Sequence, residues 1–365
     1  MKKLWKVIKY IFLIVFLIIT LGILALWGYH WHSTSKNYEE NKIVSPNGIE
    51  SLEKVKVGGI HQWIYIRGED KSKPLILIVH GGPGSPEMPF ATRKFQGELE
   101  KSFVVIHWDQ RETGKSYTGD LPDTELTIKH FVTDIAELSK LLIKRFKQKK
   151  LYIVGHSWGS IIGLLAAKDY PELFYAYVGV GQVADMVKGE QLSYDYVLRK
   201  AKEAKDHDAI QDLTAIGRPP YKDPFSDIGI QRQLLWKYQG FMYKNSNPMP
   251  FMASAYSSFH GYSFCDATYR FVAGAYTSLQ ALGHQFLSVS MINRVKEVRI
   301  PVYFINGRHD YNTPFELTEK LYQSIKAPKK ALIWFEKSAH MANYEEPQKF
   351  RDVMVGKVLA ETYTR

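Results

Sequence analysis

The sequence predicts a mostly parallel α/β sheet flanked by helices, with a helical cap inserted late in the fold and a membrane-spanning helix at the start. Three observations carry this expectation. Short, nearly continuous apolar runs alternate with helical patterns, the rhythm stops between about residues 185 and 293, and residues 10–27 form an uncharged apolar stretch. Strands covered on both faces are apolar at consecutive positions, and strands separated by helices join in parallel.

Residues 1–32 read as a cytoplasmic start and an anchor. Eighteen or so apolar residues can cross a bilayer core as a helix. Lys2, Lys3, Lys6 and Lys9 precede the run, whereas Lys36 is the next charge after it. By the positive-inside rule this places the amino terminus in the cytoplasm and the rest of the chain outside, with Trp27, Tyr29 and Trp31 suited to the outer interface. The alternative is a secreted protein released from a signal sequence near Ser33 or Ser35; the length of the apolar run favours an uncleaved single-pass anchor. His30 and His32 lack carboxylate or thiol neighbours, so they read as juxtamembrane residues and not as a metal site.

A polar linker follows over residues 33–47, then a first body segment over 48–184. Within it, residues 53–57 and 61–67 alternate around Gly58 and Gly59 as an antiparallel hairpin does. The runs 74–79, 103–108, 151–154 and 175–180 are buried strands. Phe131, Ile135, Leu138, Leu141 and Leu142 recur at helical spacing over 127–146, and 161–168 is a second helix. Residues 185–293, rich in Tyr, Lys, Gln and Met and broken at Pro219-Pro220 and Pro248, form the mainly helical cap. The second body segment, 294–365, brings the strands 302–305 and 331–335.

The residues that carry chemistry lie at strand ends. Gly155-His156-Ser157-Trp158-Gly159 stands between an apolar strand and a helical run, the context of a nucleophile elbow. A serine there sits on a turn too tight for bulky neighbours, which lifts its Oγ beside a helix amino terminus. His80-Gly81-Gly82-Pro83-Gly84 follows an earlier strand and is expected to supply one oxyanion donor from the Gly82 N–H, the other coming from Trp158 N–H. Asp310 and His340 fall just past the last two strands, in the order serine, acid, histidine. Ser157 is therefore the expected nucleophile, His340 the base and Asp310 the residue that orients it. His309, inside the acid loop, is expected to be structural.

Three ordered motifs together carry a resemblance: His80 to Gly84, then Trp108-Asp109-Gln110-Arg111 with Gly114 and Ser116 after it, and Gly155 to Gly159. From about residue 50 onward the chain resembles the proline iminopeptidase family of α/β-hydrolases. The resemblance implies an α/β-hydrolase fold, a cap over the active site, no metal and no cofactor, and removal of an amino-terminal residue, often proline, from small peptides. Two features depart from the family pattern. Glu112 stands where that family has glycine, and the cap carries no clear copy of the tryptophan-and-glutamate stretch that holds the substrate amine. Glu190, Asp195, Glu203 and Asp266 read as solvated carboxylates.

The expected function is an acyl-enzyme serine hydrolase, an aminopeptidase of proline iminopeptidase type. The alternatives are a carboxylesterase or acylglycerol lipase, since one triad cleaves both bonds and the cap selects the substrate, and a hydrolase-fold binding protein without turnover. An epoxide hydrolase or dehalogenase is disfavoured, because aspartate is expected in place of Ser157. The formal charge of +11 is spread along the chain without a nucleic-acid motif, so nucleic acid is not an expected partner. Its partners are a small peptide or ester and the membrane. Cys265, the single cysteine, cannot form an internal disulfide and reads as packed or merely tolerated.

Overall fold

The computed structural model describes residues 2–363. Helix α1 (Lys2–Asn41) is followed by the hairpin β1 (Ile49–Val57) and β2 (Ile60–Gly68), then β3 (Leu75–Val79) and β4 (Val104–Asp109). After these come α2 (Ile128–Phe146), β5 (Leu151–His156), α3 (Trp158–Asp169) and β6 (Phe174–Val180). The eight strands form one sheet in the order β1-β2-β4-β3-β5-β6, closed by β7 (Val302–Gly307) and β8 (Lys330–Phe335). The β1–β2 and β2–β4 pairs are antiparallel and every later pair is parallel.

Alternation on the buried strands divides two cores. Leu75, Leu77 and Val79 of β3 pack with α2 and α3 on one face, against Phe131, Leu138 and Ile162. Ile76 and Ile78 point the other way, toward Phe350, Met354 and Val358 near the carboxyl end. Because side chains alternate along a strand, a run apolar at every position is one that is covered twice. Helix α2 starts at Thr127, whose side chain accepts from His130 N, and ends at Lys147 in a left-handed conformation.

The chain leaves this body at Asp185 and returns at Ser290, where Met186 N donates to Val289 O and Met291 N to Ala184 O. Between them lie α4 (Met186–Glu203), α5 (His207–Ile216), α6 (Pro224–Lys237), α7 (Met249–Ser258) and α8 (Phe271–Leu287). Val197, Leu213 and Leu235 give α4, α5 and α6 a small core of their own. A second, aromatic cluster of Phe90, Tyr256, Phe259, Tyr262 and Tyr344 glues α7 and the loop after it to the body.

Helix α1 is long and apolar enough to cross a membrane, and its apolar stretch is not buried in the protein. It also runs as far as Asn41, where the sequence suggested a polar linker from residue 33. The cause is tertiary. Asn41 O accepts from Arg67 Nη2 at 2.5 Å, Asn41 Oδ1 accepts from Arg93 N at 2.6 Å, and His30 Nδ1 lies 2.9 Å from Ser257 O. These contacts hold the polar turns helical where propensity alone does not.

Candidate active site

Ser157 is the one residue between the end of β5 and the start of α3, at φ 53° and ψ −120°. A non-glycine residue held there stores about 1–3 kcal/mol of strain, which the flanking elements must impose. They do so by close approach. A Cβ on Gly155 would stand 2.4 Å from Gly159 O, and one on Gly159 only 2.0 Å from Val79 O. Both obstacles are backbone, so only glycine fits, as the motif implied. Ser157 N is tied to Val180 O at 3.0 Å, which fixes the elbow to β6.

Ser157, His340 and Gly82 all line one cavity of about 980 Å³ beneath the cap, while Asp310 is fully buried behind the imidazole. His340 Nδ1 lies 3.0 Å from Asp310 Oδ2. Among the described residues the hydrogen-bond partner of His340 Nε2 is Asn312 Nδ2, at 3.1 Å, and not Ser157 Oγ. An amide N–H facing Nε2 requires the lone pair there, so the ring proton resides on Nδ1, the tautomer a base at Nε2 needs. Asp310 is in turn held by Asn312 N at 2.9 Å, Thr313 N at 2.8 Å and Thr313 Oγ1 at 2.7 Å. Asn312 and Thr313 escaped the sequence reading. Their signal was local: an aspartate followed two and three residues later by free backbone N–H groups is the pattern of an Asx-type turn.

Gly82 holds φ 118°, and a Cβ there would meet Gly84 N at 2.5 Å. Trp158 opens α3, so its N–H belongs to the first turn, where helical donors have no internal partner. Its indole is buried on the far side, with Nε1 donating to Gln110 Oε1 at 3.0 Å, and Gln110 Nε2 donates to His80 O at 3.1 Å. The Asp-Gln-Arg stretch thus bridges the glycine loop and the elbow. Arg111 anchors it through two 2.7 Å bonds to Asp134. Asp109 accepts from Tyr262 OH of the cap at 2.6 Å, and burial pushes its carboxyl up to about 7.

Glu112 does adopt the left-handed angles its family counterpart has as glycine, with φ 53°. Its carboxylate repays the strain by accepting from Thr118 Oγ1 at 2.6 Å and Gly119 N at 2.7 Å. Two cap carboxylates differ from the sequence reading. Glu190 is buried and paired with Arg232, and Asp266 is buried under Ser263, Lys115 and Arg270. Asp195 and Glu203 are exposed and pair with Arg218 and with Lys200. His309 stacks on Tyr243 at 4.5 Å. Cys265 is exposed.

His156, the variable residue of the elbow, has Nδ1 2.5 Å from Glu87 Oε1 and Nε2 3.1 Å from His340 O. A carboxylate and a carbonyl both accept, so both ring nitrogens donate and His156 is an imidazolium. Burial opposes that charge, but Glu87 outweighs it and raises the His156 pKa. Burial also opposes ionised Glu87, yet His156 and the Tyr344 hydroxyl bring it down to about 2. His156 thus favours its charged form beside His340. Burial first, with help from His156 and Arg232, lowers the His340 pKa in spite of Asp310.

A sheet of this order with a strand-turn-helix elbow on a middle strand defines an α/β hydrolase, and the chain belongs to that family: the alpha/beta hydrolase fold model matches residues 74–347. Within it the chain is a proline iminopeptidase-like enzyme. It is 32% identical over 314 residues to the probable aminopeptidase YbaC of Bacillus subtilis (strain 168), a match covering 86% of this chain and 97% of that protein. It is 26% identical over 291 residues to the proline iminopeptidase of Heyndrickxia coagulans, covering 76% and 88%. The solved structure of proline iminopeptidase from Mycobacterium smegmatis superimposes with a TM-score of 0.59 over 85% of this chain and 98% of that one; at 20% identity this likeness concerns the fold alone.

Proposed function

We propose that the chain is a serine hydrolase that forms an acyl-enzyme on Ser157, anchored by α1 with its amino terminus cytoplasmic and its catalytic body outside. In this reading Ser157 Oγ bonds the carbonyl carbon of an amide or ester while His340 Nε2 takes its proton. The Gly82 and Trp158 N–H groups hold the oxyanion. The imidazolium passes the proton to the departing amine or alcohol, and a water deprotonated by the same ring releases the acid. Asp310 keeps the imidazole in its tautomer and stabilises its cation. The observation that carries the reading is the strained Ser157 facing the same cavity as His340, whose Nδ1 is bonded to Asp310. Asn312 must leave Nε2 as substrate binds, consistent with catalytic bonds that tighten only in the complex.

The names of the relatives support an aminopeptidase, of the type that removes an amino-terminal proline. One observation favours a second reading, hydrolysis of carboxylic esters. Among the described residues lining the cavity, the carboxylate is Glu87, already engaged by His156, Tyr344 and Gly81 N, and the guanidinium of Arg232 is paired with Glu190. A substrate ammonium needs an anionic partner; an acyl chain needs none.

Fluorophosphonate labelling of the full chain, followed by turnover of prolyl and alanyl anilides against short and long acyl esters, separates the readings. Labelling with anilide release is the aminopeptidase; labelling with ester turnover alone is the esterase; failure of the wild-type chain to label removes the proposal. The pH profile gives an independent check. Since the neutral imidazole is the active base and its pKa is lowered, the acid limb of kcat/KM is expected below the ordinary histidine value of about 6.5. A limb at or above 7 contradicts the environment described for His340.

A further inference from the structure

The catalytic cavity reaches a surface that bond cleavage does not require. Beyond Ser157 and His340 its wall continues to Leu26 and Tyr29, so α1 is itself part of the mouth. The uncharged run begins at Tyr10. About 20 helical residues cross the hydrocarbon core, which brings the outer boundary of that core to the neighbourhood of Tyr29. The mouth therefore lies at the height where lipid tails meet head groups.

The cap is apolar along the same wall, where Tyr269 and Val272 line the cavity together with Leu26 and Tyr29. Val272 and Tyr276 lie four residues apart at the start of α8, with Tyr269 in the helical turn just before it (Asp266–Arg270), and they are 65%, 61% and 61% exposed. Phe264, also exposed, packs edge-on against His30 with ring centroids 5.9 Å apart. His30 is held at 2.9 Å to Ser257 O and 3.3 Å to Tyr262 O, so the level of this face relative to α1 is set by bonds and not by a loose tether. A contiguous exposed apolar rim marks an interaction surface. What covers it follows from continuity: a helix that crosses a bilayer leaves it within a few residues of the rim.

We propose that this rim docks into the outer leaflet and that the cavity opens onto hydrocarbon, so that the acyl chain of a membrane-borne amphiphile slides from the bilayer toward Ser157. The proposal rests on reading α1 as a span and Ser157 as the nucleophile. The cavity, about 980 Å³, lies at the upper end of small-ligand sites and has room for such a chain. A rim of aromatic and branched residues beside an amphipathic mouth is what interfacial insertion demands.

Two measurements on the full chain in phosphatidylcholine vesicles test it. The sole cysteine, Cys265, is exposed next to Phe264 and takes a thiol-reactive fluorophore. Doxyl groups on lipid chains are expected to quench it while aqueous iodide does not. Quenching by iodide alone, or cross-linking of Cys265 between two copies in place of lipid contact, overturns docking. Tyr276→Asp puts a charge on the rim at a residue outside the cavity wall. Hydrolysis of a long-chain p-nitrophenyl ester carried in the vesicles is expected to fall roughly tenfold, with a dissolved short-chain ester turned over as before. An unchanged rate on the vesicle-borne ester overturns lipid delivery. Two outcomes isolate the underlying readings: a chain that does not float with vesicles refutes the span, and a wild type that is quenched by lipid yet cleaves neither ester refutes the acyl-ester substrate while docking stands.

Discussion

Ser157→Ala is expected to abolish fluorophosphonate labelling and lower kcat/KM by roughly 10⁴-fold or more, the scale on which triads lose turnover when the nucleophile is removed. The fold should survive. Alanine at φ 53° carries the same kind of backbone strain as serine, and the turn is imposed by Gly155, Gly159 and the Ser157 N–H bond to Val180 O, none of which involves Oγ. Unchanged circular dichroism with lost turnover is therefore the expected pair of results. His340→Ala should fall by a similar factor, and combining the two should add little, because residues that act as one unit are non-additive. Retained turnover in either single variant removes the assignment of these two residues.

Arg67→Ala is expected to cost about 3–5 kcal/mol, read as a lowered urea midpoint of the detergent-solubilised full chain. Arg67 and Glu100 are both fully buried, joined by Nε to Oε1 at 2.6 Å, and Nη1 reaches Glu50 at 2.7 Å and the Tyr65 hydroxyl at 2.8 Å. Truncating the guanidinium leaves the Glu100 charge in the core without a counter-ion, and that desolvation cost exceeds the loss of the contacts themselves. Glu100→Gln in the same background should recover part of the loss, since the stranded charge is gone. Equal, additive losses in a double-mutant cycle would show that the two side chains do not depend on each other.

What could be read in advance divides by how local its cause is. Strands β3 to β7 announced themselves because burial on both faces leaves an uninterrupted apolar text, and the elbow did so because two glycines are forced by backbone within 2.0–2.4 Å. Asp310 and His340 were singled out from chain order and from their places after strand ends, and the structure sets His340 Nδ1 3.0 Å from Asp310 Oδ2. The misjudged elements depend on partners far along the chain. Residues 33–41 look like a linker, and become helix because Arg67 and Arg93 bind their last turn. Glu190 looks solvated until Arg232, 42 residues later, folds onto it. The role of His156 was hidden for the same reason: its charge depends on Glu87, which adjoins it only once the glycine loop has curled over the elbow.

Helix α1 touches both halves of the molecule. It binds the cap through Ser257 O and Tyr262 O, and the body through Arg67 and Arg93. It thus acts as a brace across the neck at Asp185 and Ser290, and the cap cannot swing about that neck without breaking bonds at one end of the brace. A fragment trimmed after residue 41 would lose this strut together with the apolar helix. Its cap would then be held to the body by its direct contacts alone, such as Tyr262 OH to Asp109 at 2.6 Å and Tyr256 OH to Pro86 O at 2.5 Å, so a substrate range measured on the fragment should be checked on the full chain.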